Sequence, residues 1–314
     1  MNGDRVKRCV RYSIRILFLL YVLCTPQGFA ETADSGVKSR SMPEITAEAA
    51  VMIDLDTGEV LYGKNEFQER PVASLTKVMT GYLLVKQHKK ESCFADVVTI
   101  SKTAADTGES SLNLKEEDQL TVENLLYGAL LKSANDACVA LAEHVSGSEH
   151  TFVENMNLQA CLLGCANTHF ENTNGLPGEN HYSSAYDLAL ITRAAMQEVI
   201  FAKIVQTQQH TVTWQDGRQL VVHNTNRLLR EYPGAIGVKT GTTNAAGQCL
   251  IAVAEKAGKS FVVVVLKSKN RFYDATVLLD YGFQTLDGLS AAKDSAILTH
   301  MVVAEEQKKI ASAA

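Results

Sequence analysis

The chain has 314 residues, 46% of them hydrophobic and 21% charged, which suits one large domain or two small ones. A formal net charge of −5, with no basic block and no basic–aromatic interleaving, excludes the usual electrostatic footprint of a nucleic-acid binder. The first residues differ from the rest. Arg5, Lys7, Arg8, Arg11 and Arg15 stand against a single Asp4, and the apolar "ILFLLYVLC" and then "PQGFA" follow. This layout predicts a secretory signal peptide over residues 1–30, cut after Ala30, with small Gly28 and Ala30 at the cleavage site. The apolar part is short for a membrane span. Leu23 before Cys24 is large where a lipoprotein would carry a small residue. The expectation is export, to the periplasm or the outer face of the cytoplasmic membrane.

Residues 31–43 are polar and read as a flexible lead. "AAVMIDLDTGEVLYGKN" then predicts two strands joined by a turn at Asp56-Thr57-Gly58. "SLTKVMTGYLLVKQHKK" has helical apolar spacing and a cationic end that suits the helix dipole. Residues 121–165 are helical in pattern, 167–182 form a loop rich in Asn and Gly, and "SSAYDLALITRAAMQEVI" is a capped helix. Strands return in "AIGVKTGTT" and "QCLIAVAEKAGKSFVVVVLKS", before a last helix from Arg271 to Phe283. Strands open and close the domain and helices fill its middle. The expected fold is α+β: an antiparallel sheet flanked by helices, with an inserted helical subdomain, over residues 44–283. Residues 284–314 are a tail with one poorly amphipathic helical stretch and no second β domain.

Thiol, redox and metal chemistry find little support. Cys93, Cys138, Cys161, Cys165 and Cys249 follow the leader; their odd number leaves at least one thiol free in an exported protein. Cys161 and Cys165 are one helical turn apart, which suits packing better than bridging. The eight histidines include no H-E-x-x-H, and His144 and His150 lie around an S-G-S loop rather than on one helix face. No cofactor or metal is expected.

Three short clusters together suggest a different chemistry. "ASLTK" sets Ser74 three residues before Lys77, on one helix face. "LLKSANDA" sets Ser133 and Asn135 between two helical segments, and "GVKTGTT" sets Lys239, Thr240, Gly241 and Thr242 on a strand. Lys239 and Gly241 share a face of that strand, and the glycine leaves room for another backbone to come close. Singly, each cluster has a plainer reading: a helix N-cap, a turn and an edge-strand charge. Jointly they form an acyl-transfer site without histidine. A lysine amine serves as the base for a serine if desolvation and a nearby cation lower its pKa, and Lys239 would be that cation. Lys239 would also attract a substrate carboxylate. Ser133 would pass a proton to the leaving amine, Asn135 would hold Lys77 and the substrate amide, and the Ser74 N–H would face the oxyanion.

S-x-x-K, S-x-N and K-T-G in this order resemble the penicillin-recognising serine acylases. The flanking "VMIDLDTGEVLYGKN", "SANDACVALAEHVSGS", "FENTNGLPGENHYSSAYDLALITRAAM", "NTNRLL" and "GAIGVKTGTTNAAGQCLIA" resemble the serine-type D-alanyl-D-alanine carboxypeptidases, the low-molecular-mass penicillin-binding proteins. The likeness runs from about residue 44 to residue 283. It implies a β-lactamase/transpeptidase-like fold, Ser74 as acylated nucleophile, Lys77 as base and Ser133 and Asn135 as relay and positioning pair. It implies Lys239 and Thr240 as carboxylate receptors beside Gly241, and the Thr242 N–H as second oxyanion donor. The implied substrate is the peptidoglycan pentapeptide stem, with β-lactam antibiotics as covalent inhibitors. Relatives commonly add a β-rich domain and a membrane-anchoring helix, for which the tail after Phe283 is too short, so membrane association stays open.

A class A β-lactamase is the nearest rival, since the motif spacings suit one and Glu171 falls near the place of a deacylating glutamate. Its context is "ENTNGL" rather than E-x-x-L-N, and Ala134 stands where such an enzyme carries Asp. An inactive cell-wall-binding module should lack at least one of Ser74, Lys77, Ser133, Asn135 and Lys239, and all are present.

Overall fold

A computed structural model describes residues 42–87 and 91–285 of the chain. The expected signal peptide, most of the lead and the tail from residue 286 lie outside the described residues.

Strand β1 (Ala49–Asp54) turns into β2 (Val60–Lys64) at the expected place. The turn is closed by the Asp54 carboxylate, which accepts from the N–H groups of Asp56 at 3.0 Å and Thr57 at 2.8 Å. Two short pairs follow within the helical part: β3 (Val97–Thr99) with β4 (Gln119–Thr121), and β5 (Gln209–Thr213) with β6 (Gln219–His223). Strands β7 (Ala235–Thr243), β8 (Gly247–Lys256) and β9 (Lys259–Ser268) complete a five-stranded antiparallel sheet in the order β2-β1-β9-β8-β7. Thus β7, which carries the K-T-G motif, is an edge strand.

Both faces of the sheet are buried, so its strands read as apolar runs instead of alternating. Val51, Ile53, Ile251, Val253, Val262 and Val264 face the helical body. Met52, Leu250, Val263 and Val265 pack with Ala275, Leu278, Leu279 and Phe283. The latter belong to a helix over residues 271–285, a little longer than expected. Each fully buried aliphatic side chain in these two layers contributes about 1.5–3 kcal/mol, so the sheet is a stable platform for β7.

Helix Lys77–Gln87 runs through the centre of the helical body, against helices Asn135–Ser146, Glu149–Leu162, Ala185–Met196 and Val199–Gln206. Every residue from Lys77 to Val85 is buried, the signature of a helix surrounded on all sides. Residues 121–165 are helical on both sides of a break at Ser133. Helix Val122–Tyr127 passes into a π turn, Gly128–Lys132, and breaks at Ser133, whose φ of +70° lies in the left-handed region. Ser148 and Ser184 cap their helices by accepting from Thr151 N–H and Asp187 N–H, each at 3.1 Å.

Candidate active site

Ser74 sits in a 3-10 turn, Ala73–Thr76, that leads directly into the central helix. The residue before it, Ala73, has φ +50°, which costs a non-glycine residue about 1–2 kcal/mol. Such strain persists only where the surroundings fix it, and here three contacts do. The Thr76 hydroxyl donates to the Ala73 carbonyl at 2.9 Å. Gly175, in the 167–182 loop, lies so near that a Cβ there would stand 1.9 Å from the Ala73 oxygen. On β7, a Cβ on Gly241 would stand 2.9 Å from Val72 O and 3.1 Å from Ser74 N. Two glycines let two backbones clasp the turn of Ser74.

Because the central helix is buried, its first residue is too. Lys77 is fully inaccessible, and its Nζ lies 3.0 Å from Ser74 Oγ, 2.7 Å from Asn135 Oδ1 and 2.5 Å from the Asn174 carbonyl oxygen. Two of these three partners are pure acceptors. A neutral amine has two N–H groups and one lone pair, so the two carbonyls take its protons and aim the lone pair at the serine hydroxyl. Burial pushes the Lys77 pKa down to about 8, against smaller upward pulls from Cys138 and Asp136. Of the two expected causes, desolvation is the larger. The repulsion between the two ammonium groups is mutual and disfavours a proton on both at once. Lys239 is itself buried, and burial, then Lys77, then Arg271 hold it well below the ordinary lysine range.

Of the remaining motif residues, Asn135 touches Lys77 directly. Asn135 is the first residue of its helix, with its N–H on Ser110 O at 2.7 Å and its amide on Gly108 O at 2.9 Å. Next to it, buried Asp136 accepts from Ser111 Oγ and from the Leu112 and Leu114 N–H groups, which ties down the 108–114 segment. Ser133 is 8% exposed at the break before that helix. Lys239 Nζ donates to Thr240 O at 2.9 Å, and the Thr240 hydroxyl donates to Thr225 Oγ1 at 2.7 Å. Thr242 is exposed on the edge strand. Glu171 is exposed as well, its carboxylate resting against Gly178.

Four groups at the site carry no signal in the sequence motifs. They are the Asn174 carbonyl, Gly175, Thr225 and Arg271, whose guanidinium donates to Gly241 O at 2.9 Å and Thr242 Oγ1 at 2.7 Å. The Asn-Gly step in "NTNGL" marks a turn, but nothing in it says which carbonyl faces a lysine. None of the five cysteines among the described residues is bridged. Burial pushes the Cys138 thiol, which interacts electrostatically with Lys77, up to about 11, so it is protonated at neutral pH.

The family model for D-alanyl-D-alanine carboxypeptidases of the S11 peptidases matches residues 36–270. The chain belongs to this family. It is 38% identical to the D-alanyl-D-alanine carboxypeptidase DacF of Bacillus subtilis over 86% of this chain and 71% of that protein. It is 36% identical to DacA of Escherichia coli over 91% and 75% of the two chains. Among solved structures, the Streptomyces K15 DD-transpeptidase is similar with a TM-score of 0.74 at 34% identity, covering 78% of this chain and all of that one. DacD of Francisella tularensis is similar with a TM-score of 0.68 at 30% identity, covering 77% and 72%. The shared fold is the α+β arrangement expected from the sequence.

Proposed function

We infer that the protein is an exported serine DD-carboxypeptidase that removes the terminal D-alanine from peptidoglycan pentapeptide stems. The observation that carries this reading is the environment of Lys77: inaccessible, with two carbonyl acceptors and the Ser74 hydroxyl around its Nζ. The neutral amine takes the Ser74 proton as Oγ attacks the D-alanyl carbonyl carbon. The N–H groups of Ser74 and Thr242 receive the oxyanion, Gly241 being the residue that lets strand and turn lie side by side. Ser133 delivers a proton to the departing D-alanine amine, and Asn135 holds Lys77 and the substrate amide. Water then hydrolyses the acyl-serine ester.

The departing residue carries a free carboxylate, and Lys239 with Thr240 receives it. Lys239 has lost much of its hold on a proton to burial, so an arriving carboxylate restores the charge as it binds. A penicillin acylates the same serine. Export rests on the leader in residues 1–30. The test is incubation of the mature protein with a diacyl-Lys-D-Ala-D-Ala peptide and assay of free D-alanine. Release by wild type and none by Ser74→Ala is expected; no release by either overturns the reading.

A further inference from the structure

His181, at the end of the 167–182 loop, is used by none of the steps above, yet it is 5% exposed and touches the turn of the nucleophile. Its Nε2 lies 2.8 Å from Thr76 Oγ1, and its Nδ1 accepts the Glu171 N–H at 3.1 Å. These two contacts settle the tautomer by exclusion. A backbone N–H only donates, so Nδ1 carries no proton. Thr76 has one hydroxyl proton, already given to Ala73 O at 2.9 Å, so Nε2 must donate to it. We propose that His181, held as the neutral Nε2–H tautomer, is a positioning residue that braces both the Ser74 turn and the loop that holds Lys77.

Each arm of the brace reaches one reacting group. Through Thr76 it secures the hydroxyl that anchors the strained Ala73 carbonyl, one residue before the nucleophile. Through the Glu171 N–H it secures the start of the turn in which Asn172 Oδ1 accepts from Asn174 N at 3.3 Å and Gly175 N at 2.7 Å. That turn delivers the Asn174 carbonyl to Lys77 and sets Gly175 against Ala73. The ring stands near the edge of Phe170, at 5.7 Å between centroids. Glu171, His169 and Lys77 are the titratable groups that act on it. A proton on Nδ1 would set two donors face to face and break the lower arm.

The inference rests on the acyl-enzyme reading, and two variants dissect it. Gln places an amide N–H where Nε2–H stands and keeps the Thr76 arm; Asn reproduces only the acceptor near Nδ1 and releases Thr76. The rate of Ser74 acylation by a fluorescent penicillin should fall about threefold in His181→Gln, which gives up the longer Glu171 arm. It should fall about tenfold in His181→Asn, the worth of one buried hydrogen bond, at a similar melting temperature. The ring-nitrogen chemical shifts of His181 in wild type should show a protonated Nε2 and a bare Nδ1 at neutral pH. Acylation at the wild-type rate in both variants, losses that simply track melting temperature, or a proton on Nδ1 would overturn the brace. A wild type that penicillin does not label would sink the acyl-enzyme reading instead, while the ring shifts still decide the tautomer and with it the brace.

Discussion

The base strength of Lys77 is open to a direct test, because one neighbouring atom can be given a charge. With its pKa at about 8, roughly one molecule in ten carries the free amine at pH 7. Acylation of the free enzyme by a penicillin should therefore rise about tenfold from pH 7 to a plateau, with a midpoint near 8. Asn135→Asp places a carboxylate oxygen where the amide oxygen now sits, 2.7 Å from Nζ. At an effective dielectric of about 20 the attraction at that distance is about 6 kcal/mol, part of which burial of the new carboxylate cancels. Carboxylate–cation pairs in proteins shift each other by about one to three units, so the midpoint should climb to about 9–11. At pH 7 acylation should fall about 10- to 1000-fold and recover as the pH rises. Asp cannot donate to Gly108 O as Asn135 does, which lowers the plateau but leaves the midpoint as the readout. Stopped-flow acylation with a fluorescent penicillin from about pH 6 upward follows the midpoint, which for Asn135→Asp shows as a rate still rising where wild type is already flat. A wild-type rate flat across that range, or an Asn135→Asp midpoint at or below wild type, refutes the free amine as base.

Gly175→Ala should cost at least about 3 kcal/mol in urea unfolding and strongly depress acylation, since the new Cβ meets immovable backbone at 1.9 Å and φ is +88°. A variant with wild-type stability and rate would show that the loop does not clasp the Ser74 turn. Lys239→Gln should impair turnover of peptides ending in a free carboxylate far more than it impairs folding, and an amidated peptide should be a poor substrate for wild type. Equal use of amide and acid by wild type removes the receptor role. Glu171 is solvated and turned onto Gly178, so Glu171→Gln should leave the lifetime of the penicilloyl adduct unchanged, at minutes or longer by intact mass. Rapid penicillin turnover that collapses in Glu171→Gln would favour a lactamase. Burial pushes His181 down to about 4, so as pH falls from about 6.5 the unfolded chain takes up the proton first and the native state loses stability until about pH 4. That loss amounts to at most about 3 kcal/mol. It should be missing from His181→Gln in urea unfolding at pH 7 and pH 4.5; an unchanged pH slope would deny the depressed value.

The fold is legible in the sequence where one physical signal dominates. The Asp54–Gly58 turn, the Ser184 cap and the unbroken apolar runs of β8 and β9 each point to one local structure, and the sheet assembles from them. The β5–β6 pair has a weaker mark, the alternation of "HTVTW" before Asp216-Gly217, because alternating residues this polar are equally at home in a loop. The π turn at Gly128–Lys132 has no mark at all. Apart from Gly128 its residues are good helix formers, so local preference does not tell a π turn from an α turn.

The site divides along a similar line, between side chains and backbone. A serine, lysine or asparagine announces its chemistry by its identity, so Ser74, Lys77, Ser133, Asn135 and Lys239 stand out from the sequence alone. A carbonyl oxygen or an amide N–H belongs to nearly every residue, so the Asn174 carbonyl that holds Lys77 has no signature of its own. What the sequence does carry is the permission for such backbone to approach. Gly241 and Gly175 are the places where any side chain would strike the Val72–Ser74 backbone. The pKa of Lys77 is a further step removed. S-x-x-K at helical spacing on an exposed helix would leave an ordinary ammonium beside a serine. In the proposed reaction the same four residues supply a base and a nucleophile because "VMTGYLLV" buries the helix on every side. The apolar run that looks like mere packing is the part of the sequence that buries the lysine and lowers its pKa.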